Sequence, residues 1–132
     1  MNNLVNALNF EVAGIRPVSK KNLYGISRNG GLYQKKQAAP FITAVQDEAS
    51  VLRYALAIPM IPDDMPFTLE YTIHVKSYGT VDLDGVGTTL LDALQGIIYP
   101  DDKMCIGIVG RKVVNKKADY RVEICVKWEG EI

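Results

Sequence analysis

The chain has 132 residues, 48% hydrophobic and 23% charged, with 15 Lys or Arg against 15 Asp or Glu. That length makes one domain able to bury a core without disulfide or metal staples, and no apolar run is long enough to span a bilayer. The amino terminus, Met1-Asn2-Asn3-Leu4-Val5, has no basic region followed by an apolar block, so it does not read as a secretory signal; a cytoplasmic protein with no membrane partner is expected.

The balanced charge hides an uneven placement. Residues 1 to 40 carry six Lys or Arg against Glu11 alone, residues 41 to 100 carry two against eight acids, and residues 101 to 127 carry seven against four. Basic flanks around an acidic middle suit a protein that holds a polyanion over a cluster of carboxylates.

Asn9 to Gly14 reads as a first strand, and a loop of some 25 residues without a clear period follows it. Lys20, Lys21, Arg28, Lys35 and Lys36 lie in that loop with the rings of Tyr24 and Tyr33, a mixture that suits phosphate contacts with occasional base stacking and equally suits a solvated connection. Pro40 to Ala57 reads as a helix whose buried stripe is Phe41, Val45, Ala49, Leu52 and Leu56. Phe67 to Val75 then alternates apolar and polar residues as a half-buried strand does, with His74, the only histidine, on the polar side and expected exposed. A single histidine gives little support to triad chemistry.

The strand-like run from Ile73 to Val81 leads into Asp82-Leu83-Asp84, and from Leu83 the apolar residues Val86, Leu90, Leu91, Leu94, Ile97 and Ile98 keep helical spacing up to Pro100. Asp84, Thr88, Asp92 and Gln95 form the opposite, polar face. Asp101 and Asp102 follow in a turn, and if the chain doubles back there one of them meets the first acidic pair. Three carboxylates converging in this way make an all-oxygen site suited to magnesium or manganese rather than zinc. Capping by Asp at a helix start and turn formation by Asp-Asp after Pro are the plainer explanations of the same residues.

Met104 to Val114 and Asp119 to Trp128 read as two closing strands joined by a hairpin turn, Asn115-Lys116-Lys117-Ala118. Arg111, Lys112, Lys116 and Lys117 gather at or near its tip, within reach of a phosphate or simply solvated. Cys105 and Cys125 lack metal-ligand spacing and read as free thiols. The expected fold is a single two-layer α+β domain over residues 1–132, in the order β-loop-α-β-α-β-β, with a mixed sheet of about four strands and both helices on one face.

In this order the pieces resemble the RusA family of Holliday junction resolvases, small endodeoxyribonucleases of bacteria and their prophages. The likeness covers nearly the whole chain and is carried by Asp82-Leu83-Asp84, Leu91-Asp92-Ala93-Leu94, Asp101-Asp102 and the Arg16-Pro17-Val18-Ser19-Lys20-Lys21-Asn22 loop. The resemblance implies a homodimer that binds four-way DNA junctions and resolves them by symmetric paired nicks, in recombination and repair, using Mg2+ or in its place Mn2+. It puts the catalytic, metal-binding carboxylates at Asp82, Asp84 and Asp102, with Asp101 beside them. DNA contacts are then expected from the basic loop, from Lys103 and from the basic turn. The chain departs from the family pattern at Gly85, where many relatives have Asn, and at Thr88, where Lys is common. The alternative is a branched-DNA-binding protein with weak or no cleavage; a phosphohydrolase of small nucleotides ranks below both.

Overall fold

The computed structural model describes residues 5–19, 24–26, 32–34, 38–117 and 119–132. Strand β1 (Val5–Ala13) is followed by two short strands, β2 (Tyr24–Ile26) and β3 (Leu32–Gln34), and by helix α1 (Ala38–Leu56). Strand β4 (Phe67–Val75), helix α2 (Leu83–Leu94), strand β5 (Cys105–Val114) and strand β6 (Arg121–Glu129) complete the chain. The main sheet runs β1-β6-β4-β5, with β6 antiparallel to both neighbours and β5 parallel to β4. It is the expected α+β architecture with a mixed four-stranded sheet and two helices.

Alternation decides which face is buried. Phe67, Leu69, Tyr71, Ile73 and Val75 of β4 point inward with Val122, Ile124, Val126 and Trp128 of β6. The intervening residues form an outer face of ion pairs: Lys127 to Glu70 at 2.6 Å, His74 to Glu123 at 2.9 Å and Arg121 to Glu11 at 3.6 Å. His74 is therefore engaged and largely covered rather than simply exposed, its side chain being 15% accessible. Against the inner face pack Phe41, Val45 and Ala49 of α1 and Val86, Leu90 and Leu94 of α2, all fully buried. Leu52 packs at the edge of this core, whereas Leu56, assigned to the same stripe from its spacing, is exposed at the helix end.

Several boundaries differ from the sequence reading. Strand β4 stops at Val75, and a 310 turn over Tyr78–Thr80 carries the chain to Asp82. Helix α2 ends at Leu94, well before Pro100, because Gly96 adopts φ +80° and its N–H bonds the Tyr99 carbonyl at 2.7 Å, closing a turn. Part of the long loop is a small antiparallel hairpin, with Gly25 opposite Tyr33.

The closing strands do not form a hairpin. Helix α2 provides the crossover that a parallel pair requires, which lays β5 alongside β4, and β6 enters the gap between β4 and β1. The basic turn after β5 therefore passes over the end of β4, where Asn115 N–H bonds the Val75 carbonyl at 2.8 Å.

Candidate functional site

The acidic stretch is built around the start of α2. Asp82 occupies the N-cap position with extended backbone, φ −82° and ψ 109°, yet its carboxylate makes no capping hydrogen bond to the first-turn amides. Capping is the ordinary reason for Asp at a helix start, and this Asp does not do it. Its Oδ2 instead accepts from Ser19 Oγ at 3.3 Å. Asp84 follows in the first turn, exposed.

Gly85 makes that contact feasible. A Cβ at this position would lie 1.8 Å from Ser19 Oγ and 2.9 Å from Asp82 Oδ2, so any larger residue would displace the serine or the carboxylate. A hydroxyl arriving from the loop after β1 thus fills the space beside the Asp82 carboxylate.

Tyr71 supports the same region from below. Its hydroxyl donates to the Leu83 carbonyl, and its ring fits between Gly87 of α2 and Gly110 of β5, where added Cβ atoms would each come within 2.5 Å of it. Burial raises the Tyr71 hydroxyl pKa, and the charges of Asp84 and Asp82 add to the rise. One phenol therefore senses both carboxylates. Two cations hold the approach: Arg16 Nη2 donates to the Thr80 carbonyl at 2.9 Å and Lys112 Nζ to the Tyr78 carbonyl at 2.6 Å.

Asp102 belongs to the other end of α2. Its N–H bonds Gln95 Oε1 at 3.1 Å, just past the helix terminus, in a 310 turn capped by Asp101, whose Oδ1 accepts from Lys103 N–H at 2.9 Å. Burial, then the hydrogen bond and charge of Asp101 and the charge of Asp92, raise the Asp102 carboxyl above the usual range. Asp84 and Asp92 stand eight residues apart on α2, about 12 Å at 1.5 Å per residue. The polar face thus runs as a line from Asp84 past Thr88 to Asp92, with Asp102 at its far end. The three carboxylates expected to converge do not close on one point: among the described residues, no three His, Cys, Asp or Glu side chains form a group that would hold a metal ion.

The pair at the helix start still fits a hard divalent cation. Magnesium is commonly held by one or two carboxylates, with water and substrate phosphate at its other positions, and Asp82 with Asp84 offers oxygen donors alone. The Thr88 hydroxyl turns back along its own helix and donates to the Asp84 carbonyl at 3.1 Å. Lys103 Nζ pairs with Asp63 at 3.2 Å.

Of the expected DNA contacts, Lys20, Lys21, Arg28, Lys35 and Lys36 lie outside the described residues. Lys116 and Lys117 are exposed in the turn after β5, and Arg111 is on the outer face of the sheet, where β5 pairs it with Thr72. Sequence reasoning missed Ser19, Arg16, Tyr71 and Asp92 as parts of the site. Ser19, Arg16 and Asp92 had a signal, since the first two fall in the loop motif and Asp92 in the Leu91-Asp92-Ala93-Leu94 segment; Tyr71 looked like any inward residue of a strand. No protein-family model matches the chain, and no curated protein matches it.

Proposed function

We propose that the protein is a magnesium-dependent, structure-selective endodeoxyribonuclease that resolves four-way DNA junctions as a homodimer by paired nicks. The observation that carries this reading is the Asp82 carboxylate at the start of α2, turned from its capping role and set beside Ser19 and Asp84. The ordered likeness to the RusA family supplies the reaction class and the substrate. When bound, the cation would activate water and stabilise the leaving oxygen of a phosphodiester. Asp82 and Asp84 would hold it, with Ser19 bonded to the Asp82 carboxylate and Tyr71 bonded to the Leu83 carbonyl at the helix start. The cationic segments place the backbone phosphates, and a two-fold dimer gives one site per cut strand.

The non-cutting alternative draws on a specific observation. Thr88 is bonded to its own helix and brings no cation to the acidic face. Binding and cutting by Asp82→Asn on a labelled four-way junction test the two readings. The proposal expects cutting to vanish while binding stays equal or tightens, because a negative charge facing DNA is removed. Equal cutting by the variant and the native protein would take Asp82 out of the mechanism. A native protein that binds without cutting would leave the binding function alone.

A further inference from the structure

The turn that delivers the chain to Asp82 carries an aromatic ring that the core does not use. Tyr78 is 71% exposed, whereas Tyr71 and Tyr99 are buried and each donates its hydroxyl to a backbone carbonyl of α2. A ring left in water gives up its contribution to the core, yet the backbone beneath this one is held from several sides. Val75 before it and Val81 after it are buried, and the Thr80 hydroxyl donates to the Ser77 carbonyl at 2.9 Å. Lys112 Nζ holds the Tyr78 carbonyl at 2.6 Å and Arg16 Nη2 the Thr80 carbonyl at 2.9 Å. The ring thus rides on a fixed turn, and its two torsions are what binding would have to order. Both cations carry more donors than those single bonds use.

We propose that Tyr78, with Arg16 and Lys112 beside it, is a stacking subsite for an unpaired or unstacked base next to the reacting phosphate, and that it favours DNA with such bases over linear duplex. An exposed ring between cations is the combination that receives an unstacked nucleotide, the base lying on the ring while the cations meet the neighbouring phosphates. Tyr78 precedes Asp82 by four residues, so their Cα atoms are at most about 14 Å apart even along an extended chain, and the 310 turn over Tyr78–Thr80 brings them closer. Bases inside a duplex are covered on both faces by their neighbours, and exposing one costs least where pairing or stacking is already interrupted, as at a branch point. Selection for branched DNA therefore needs no sequence contact, only a ring placed where an open base face arrives. Tyr54 gives the contrast. Its ring is 87% exposed, but it lies near the end of α1 beside Ala57 and Gly96, at the other end of α2 from Asp82. The inference rests on the DNA-binding part of the proposed function and not on the cutting.

Binding in EDTA tests the subsite without cutting, read as fluorescence anisotropy of a labelled four-way junction, a labelled single-stranded oligonucleotide and a labelled linear duplex. Tyr78→Ala should lose about tenfold in affinity for the junction and the single strand, the low end of what one stacked base contributes, and stay within about twofold for the duplex. Tyr78→Phe should bind all three as the native chain does, because the ring and not the hydroxyl stacks. Tyr54→Ala should change none of them. Native affinity for the junction in Tyr78→Ala, a loss for the duplex as heavy as for the junction, or a loss shared by Tyr78→Phe or Tyr54→Ala would overturn the subsite. A native protein that holds neither the junction nor the single strand would overturn it as well. Ring-dependent binding of the single strand without binding of the junction, or of both without nicks in magnesium, would leave the subsite standing and count against the junction nuclease alone.

Discussion

The Ser19 hydroxyl occupies the space that a side chain on Gly85 would need, 1.8 Å from an ideal Cβ, and from there it donates to Asp82 across 63 residues of sequence. Gly85 is thus an accommodation to Ser19 rather than a defect in a helix.

Gly85→Ala should destabilise the fold by about 1–3 kcal/mol, as overpacking does, although alanine in a helix is ordinarily favoured over glycine by about 1 kcal/mol. Ser19→Gly in the same chain should recover most of the loss. Urea unfolding of the four proteins gives the interaction energy directly, and additive effects would show that the two positions do not compete for space.

Much of this region was legible in the sequence, and the reasons for the rest are physical. The apolar stripe of α2 was correct at Val86, Leu90 and Leu94 because a helix buries one side at fixed spacing. Its end was misplaced because Gly96 breaks the helix by conformation before Pro100 would break it by geometry. The strand order was hidden because neighbours in sequence need not be neighbours in the sheet; the turn from Asn115 looked like a hairpin, yet β4 lies between the strands it joins. Convergence of Asp102 with Asp82 and Asp84 was read from a turn, whereas the length of α2 separates the two acidic groups.

Asp102→Asn should raise the melting temperature at neutral pH. Its carboxyl pKa is raised in the fold, first by burial and then by Asp101 and Asp92, so the folded state binds that proton more tightly than the unfolded chain does. The cost of ionisation is fully present above the folded pKa and is relieved as pH falls below the unfolded value. The gain over the native protein should therefore shrink on acidification through the carboxylate range. A difference in melting temperature that is flat with pH would assign it to another cause.

Thr88→Lys should improve the protein in two separable ways. A cation at 88 sits one turn from both Asp84 and Asp92, and such helical pairs contribute about 0.2–0.5 kcal/mol each, a small rise in stability that salt should diminish. The same cation also lies on the acidic line that the nucleic acid would cross, so cleavage of a four-way junction should increase relative to the native chain. Greater stability with unchanged cleavage would remove position 88 from the DNA path.

The central claim is metal-dependent resolution of a branched substrate, and mapping nicks on all four labelled strands of a synthetic junction tests it most directly. The account predicts paired nicks on opposing strands with magnesium, none with EDTA, an intact linear duplex under the same conditions, and no nicks from Asp82→Asn. Tight binding with no nicks in magnesium or manganese, or cutting of linear duplex as readily as of the junction, would contradict it.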